Sequence, residues 1–248
     1  MKYIKALLVG VVQGVTEFLP VSSSGHLAIL AKLNVAPTSV FYNLALHLAT
    51  LAALLIVMRR EVWEVIRHPV KGDAKYILIA SIPTVVVALL FKTLCPSLLT
   101  GRLLGFGFLL TSCVLFLSER LGMAAERGIN VKISLLTGLA QGIAVLPGVS
   151  RSGCTIAACR LCGVSSQRAA RFSFLLSVPV IVGGFLLEGW ESGFTAAGAD
   201  SMEITVAAAA AFVSGFLAVR FMLNKIKKGL MPFVPYTFLL GVLCYFLP

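Results

Sequence analysis

Two short stretches of an otherwise apolar chain carry residues able to do chemistry. In the first, Gln13 and Glu17 stand four residues apart and so share one face of a helix. Pro20 stops that helix, and Ser22-Ser23-Ser24-Gly25-His26 opens the next, with serines where an N-cap is wanted. In the second, Pro147 precedes Ser150-Arg151-Ser152-Gly153, which opens a corresponding helix. Two helix N-termini then meet, each with free backbone N–H groups and a positive dipole end, and that makes a site for an anion. Arg151 adds a full charge and a planar fork suited to phosphate oxygens. Carboxylate, hydroxyl, imidazole and guanidinium around such a pocket are the parts of phosphoryl transfer. Arg151 and the helix ends supply charge neutralisation, Ser23 or a water the nucleophile, and Glu17 or His26 the proton acceptor. A divalent cation bridging Glu17 and a pyrophosphate would reconcile two negative groups in one pocket. Serine clusters in membrane helices more often serve packing and local backbone bonding, so this reading rests on Glu17 and Arg151.

The elements that must position these residues are membrane helices. The 248-residue chain is 58% apolar and 12% charged, about half the charge of a soluble domain of this length. Six apolar runs of spanning length lie at roughly 41–58, 76–94, 103–118, 171–190, 205–223 and 230–247. They are bounded by charge, Pro, Gly or interfacial aromatics such as Tyr42, Tyr76, Trp190 and Tyr236. The expected fold is a single all-α integral membrane domain over 1–248, with the lipid bilayer as its solvent. The net charge of +11 resides in short connections and forms no basic groove or stripe, which excludes nucleic acid as a partner. Of six cysteines, Cys159 and Cys162 form a C-x-x-C with no second pair to complete a zinc site, so all six read as small apolar filler. Lys2 and Lys5 precede a short apolar stretch, but Gln13 and Glu17 follow where a leader would have a cleavage site, and the segment is read as part of the mature protein.

Segments 6–30 and 133–158 are apolar yet broken in the middle, and they read as re-entrant helix pairs whose irregular backbone lines a cavity. They also match each other. Ser22, Ser24 and Gly25 follow Gln13-Gly14 at the offsets at which Ser150, Ser152 and Gly153 follow Gln141-Gly142, with Pro20 and Pro147 one position out of step. The halves divide at about 118/119. With the basic connection Arg59, Arg60, Arg67, Lys71 and Lys75 placed in the cytoplasm, alternation brings the first broken segment in from outside and the second from inside, as inverted repeats. Lys2, Lys5 and Lys32 on the outer side run against that orientation. The halves are not equivalent, because Val145 stands where Glu17 would repeat and Arg151 where Ser23 would. His47 is within reach of the site, but a hydrogen-bonded structural histidine is the simpler reading.

The stretch Gln13–His26, Q-G-V-T-E-F-L-P-V-S-S-S-G-H, and Pro147–Thr155, P-G-V-S-R-S-G-C-T, resemble the two signatures of the undecaprenyl pyrophosphate phosphatases, also called bacitracin-resistance proteins. The resemblance covers the whole chain. It implies hydrolysis of undecaprenyl diphosphate at the outer side of the bacterial plasma membrane with Mg or Ca, with Glu17 as the essential glutamate and metal ligand, Ser23 as nucleophile and Arg151 as phosphate-binding arginine. His26 joins these as a catalytic candidate. Gln13, Ser22, Ser24, Gly25, Ser150, Ser152, Gly153 and Thr155 are the candidate substrate-binding residues. Gln13 departs from the pattern, in which a second glutamate is common, and removes one metal ligand or base. A lipid-phosphate transporter or flippase is the rival class, since inverted repeats with broken helices are also the architecture of alternating access. A homodimer is compatible with the sequence.

Overall fold

The computed structural model describes residues 1–37, 39–122, 126–193 and 200–246. The regular elements among them are helical: α1 (Lys2–Phe18), α2 (Ser23–Lys32), α3 (Val40–Val57), α4 (Arg59–Arg67), α5 (Gly72–Leu94), α6 (Leu104–Leu121), α7 (Val131–Ile143), α8 (Arg151–Leu161), α9 (Ser166–Glu191), α10 (Ser201–Lys225) and α11 (Phe233–Leu243), with two short 3-10 turns. Five helices, α3, α5, α6, α9 and α10, are long and apolar enough to cross a bilayer. Their outward faces carry the large apolar side chains that lipid requires, such as Leu78, Ile82 and Val85 on α5 and Leu186 on α9.

The sixth expected span is shorter than its apolar run. Among the described residues of that run, 230–246, the helix is the 11-residue α11, which starts at the Pro232 cap with Pro235 in its first turn and is too short to cross alone. Hydropathy measures composition, and a proline-bounded segment held against α6 stays apolar without being long. Tyr42, expected at the interface, is fully buried. The short amphipathic α4, with Val62 and Val65 against the core and Trp63 and Ile66 exposed, lay unseen inside the basic connection.

Both broken segments re-enter. After the break at 19–22, α2 returns to the level at which α1 began, where Lys5 donates to the Asn34 carbonyl at 2.9 Å. After the break at 144–150, α8 returns likewise, and the Arg127 amide donates to the Gly163 carbonyl at 2.9 Å, just ahead of α7.

Each first arm packs on a helix from the other half of the chain. A Cβ at Gly10 would lie 2.1 Å from the Ala207 carbonyl oxygen, and one at Gly14 2.4 Å from that of Ala211, so α1 and α10 touch backbone to backbone in parallel. Gly138 stands in the same relation to Ala80 at 2.1 Å, and Gly142 to Thr84, so α7 is parallel to α5. A hydroxyl donates across each contact, Ser214 to the Gly10 carbonyl at 3.5 Å and Thr84 to that of Gly138 at 2.9 Å. Where lipid gives no hydrophobic incentive to associate, small residues and interhelical hydrogen bonds are what hold helices together.

The direction of the two arms follows from the ion pairs. Asp73 with Arg168 joins the starts of α5 and α9, and Lys92 with Glu191 joins their ends, so these helices are parallel. Tyr42 and Leu46 cluster with Ala207 and Ala211, and Gly215 lies beside Thr50 and Ala53, so α3 is parallel to α10. The end of α3 leads through α4 to the start of α5, and α10 is therefore antiparallel to α5 and α9. Hence α1, parallel to α10, opposes α7, parallel to α5, and the two arms enter in opposite senses.

Replacing Gly10 or Gly138 by Leu is expected to lower stability by about 3 kcal/mol or more, because the atom in the way is a backbone carbonyl that cannot rotate aside. The Gly183→Ala change, where a Cβ meets nothing within 4 Å, should leave it unchanged or slightly higher. Thermal unfolding in detergent distinguishes these outcomes, and a Gly10→Leu protein as stable as the parent would refute the close approach.

Candidate active site

The two breaks are built alike and meet. At the first, the side chain of Ser22 caps α2 by accepting from the Gly25 amide at 3.2 Å, and at the second Ser150 caps α8 by accepting from the Gly153 amide at 3.1 Å. In each, the cap hydroxyl also stands 3.3 Å from the serine two positions on, Ser24 or Ser152. The backbones differ where the prolines are out of step. The second break turns through Gly148 at φ 88, whereas the first places Ser22 itself at φ 70, a left-handed conformation that a non-glycine residue adopts only when its surroundings enforce it. Ser152 donates to the Leu19 carbonyl at 3.0 Å, tying one break to the other. Gly25 sits so close to Gly148 and Phe108 that a Cβ there would come within 2.5 Å of the Phe108 ring. Thr111 of α6 accepts from the Ser150 amide at 2.9 Å and donates toward the Gly148 carbonyl at 3.0 Å, holding the second break in place.

Glu17 is at the centre, 4% exposed. Ser23 donates to one carboxylate oxygen at 2.7 Å and the Gln13 amide donates to the same oxygen at 3.0 Å, while Arg151 donates to the other. One half of the chain thus brings carboxylate and hydroxyl, and the other brings the guanidinium. His47, which the sequence assigns a structural role, joins them from α3, with Nδ1 3.2 Å from Glu17 and 3.0 Å from the Gln13 amide nitrogen. The remaining Gln13 oxygen is buried without a hydrogen-bond partner.

His26 lies at the first turn of α2. Its Nδ1 is 2.6 Å from the Ser22 carbonyl and its Nε2 2.7 Å from the Tyr236 hydroxyl, with the Phe108 ring edge-on at 5.5 Å. Tyr236, read from sequence as an interfacial aromatic, therefore belongs to the site's surroundings. Nothing in its local pattern distinguishes it from the neighbouring lipid-facing aromatics.

Thr155 does not face this centre. It is fully buried on α8, donating back to the Arg151 carbonyl at 2.9 Å and paired with Ser173 of α9 at 2.6 Å, a bond between helices. Ser150, Ser152, Gly25 and Gly153 are likewise engaged in shaping the breaks, whereas Ser24 is exposed at the helix start. Two clefts open elsewhere, about 110 Å³ beside Lys32, Arg102 and Tyr245 and about 360 Å³ beside Glu61, His68 and Arg168, and neither is lined by Glu17, Ser23 or Arg151. At the centre Glu17 and Arg151 are paired directly.

Chemically, a buried carboxylate with a serine hydroxyl on one oxygen and an arginine on the other is an arrangement able to accept the hydroxyl proton and to offer a guanidinium to phosphate oxygens. The fold and this centre define an all-α, multi-pass membrane enzyme of the phosphoryl-transfer class. A profile of the family described as "Bacitracin resistance protein BacA" matches residues 6–243. An undecaprenyl-diphosphatase of Carboxydothermus hydrogenoformans is 38% identical over 98% of this chain and 96% of its own, and one of Bacteroides fragilis is 38% identical over 98% and 97%. A third, from Methanobrevibacter smithii, is 35% identical over 99% and 97%. The chain belongs to the BacA family.

Loss of a cap should be felt at both breaks. Ser22→Ala and Ser150→Ala are each expected to cost about 1 kcal/mol. Ser22→Gly should cost only a few tenths, because glycine accepts the positive φ at that position. Unfolding midpoints of the three variants would show the order, and a Ser22→Gly protein less stable than Ser22→Ala would contradict the strained geometry.

Proposed function

We propose that this protein hydrolyses undecaprenyl diphosphate to the monophosphate and inorganic phosphate, recycling the lipid carrier of cell-wall synthesis and so conferring bacitracin resistance. The observation that carries this reading is Glu17 held between Ser23 and Arg151 at the meeting of two helix N-termini. The diphosphatase relatives support the enzyme over the transporter.

In the proposed sequence, the Ser23 hydroxyl oxygen attacks the terminal phosphorus while its proton passes to Glu17 over the 2.7 Å hydrogen bond. The bond to the bridging oxygen breaks and the lipid monophosphate leaves. A neutral Glu17 holds Arg151 weakly, which frees the guanidinium for the phosphoryl oxygens as their charge redistributes. A water oxygen then bonds to phosphorus as the bond from phosphorus to the Ser23 oxygen breaks, Glu17 returns its proton to Ser23, and inorganic phosphate leaves carrying both water protons. His26, at the start of α2, stands at the edge of the same phosphate site.

A divalent cation fits sparsely. Among the described residues no group of three or more His, Cys, Asp or Glu side chains gathers to hold one. The candidate oxygens are the unpartnered Gln13 carbonyl and the Glu17 carboxylate, which would give up one of its present hydrogen bonds to hold a cation, leaving the rest to phosphate and water. When bound there, Mg or Ca would neutralise pyrophosphate charge. The site is assigned to the outer leaflet of the bacterial plasma membrane, supported by α1 and α2 re-entering beside Asp200 and Glu203, at the end of α10 opposite Lys225, Lys227 and Lys228.

The experiment is phosphate release from polyprenyl diphosphate by purified protein. Glu17→Gln and Ser23→Ala, both close in shape to the parent, should lower kcat about a hundredfold or more. Acid-quenched enzyme should carry labelled phosphate that Ser23→Ala lacks. Full activity in Glu17→Gln would sink the reading, and lipid translocation without phosphate release would favour the transporter. EDTA should abolish turnover and Mg restore it, with Gln13→Ala needing more Mg for half-maximal rate. An EDTA-insensitive rate would remove the cation from the proposal.

A further inference from the structure

We propose that Tyr236 is a positioning residue for His26, supplied by α11 to fix the orientation in which the imidazole Nε2 is offered to the phosphate site. The inference rests on the reading above that His26 serves the reaction.

The tautomer follows from the partners. A backbone carbonyl only accepts, so the 2.6 Å contact between Nδ1 and the Ser22 oxygen places a proton on Nδ1. In the neutral ring Nε2 then keeps its lone pair, and the Tyr236 hydroxyl, 2.7 Å away, donates to it. The two rings are nearly parallel, 9° apart with centroids at 5.8 Å, and the Phe108 edge confines the imidazole from a second direction. Torsion about both side-chain bonds is thus stopped, and the ring is held in one orientation and one protonation pattern.

The tyrosine is itself held. Ser112 of α6 donates to the Val234 carbonyl at 2.9 Å, and a Cβ at Gly241 of α11 would lie 2.7 Å from the Leu109 side chain, so α11 is seated on the helix that also carries Phe108. Tyr236 is 44% exposed, so its hydroxyl has access to other partners, and its place on Nε2 is not a consequence of having been buried. An arriving phosphate group that takes Nε2 would displace this hydroxyl, and departure of the product would restore it. The imidazole is never left without a partner.

The test is Tyr236→Phe, which removes one atom and keeps the ring, with Tyr245→Phe as the control. Relative to the control, kcat should fall about tenfold or more with KM within about twofold. In nitrogen-15 spectra of histidine-labelled protein, the His26 Nε2 resonance should move as its hydrogen-bond donor is lost, while Nδ1 keeps the proton held by the Ser22 carbonyl. Unaltered kcat and Nε2 resonance would overturn the assignment, and so would a collapse of the unfolding midpoint, which would make the tyrosine structural. His26→Ala separates the two levels of the argument. If it is fully active, the role of His26 fails. If it is inactive while Tyr236→Phe is not, only the assignment of Tyr236 fails.

Discussion

The structure depends on a single carboxylate buried away from solvent. An ionised group in such a place is tolerated only with its charge paired and its lone pairs filled. Glu17 meets both conditions through residues from four helices: Gln13 on its own, Ser23 on the next, His47 on α3 and Arg151 from the far half of the sequence. Removing the guanidinium would leave a buried charge uncompensated, a loss of about 3–5 kcal/mol in comparable settings. In the proposed reaction the same pair that joins the halves is the one to be opened, so stability and turnover would draw on one interaction.

Around that pair, two re-entrant arms use one construction for different ends. Both have a Gln-Gly step near the end of the first helix, a serine cap, and a glycine pair flush against the backbone of a spanning helix. The arm with Glu17 also brings Ser23 to the carboxylate. In the other, Gln141 donates to Thr84 at 3.1 Å, Val145 takes the place of the acid, and the arm's contribution to the centre is a cation. Duplicated geometry with divided chemistry explains why the second half resembles a scaffold for the first.

Much of this was legible in the chain, and for physical reasons. Runs of apolar residues identify five spans because lipid imposes both length and composition, and Pro, Gly and serine caps mark the breaks because local backbone chemistry dictates them. Glu17 and Arg151 stood out because charge in an apolar segment is costly. What failed to show is what depends on packing alone. His47 and Tyr236 reach the site from helices with no motif, and their neighbours in sequence give no sign of it. Thr155 sits in a signature yet bonds sideways to Ser173, since residues four apart on α8 need not share one task. The length of α11 was hidden by apolar flanks that are not helical.

The cross-packing of the arms bears on how such a chain is made. The surface that receives α1 belongs to α10, which begins at Ser201, so a growing chain released before that point has nothing for Gly10 and Gly14 to lie against. During synthesis the first arm, with its glutamate, must wait in the insertion machinery or at the membrane surface while most of the protein emerges. Completion of the centre is therefore a late event in biogenesis. Chains stalled before Arg151 hold the acid without the arginine, and those stalled beyond it but before Ser201 hold both without the helix that seats the first arm.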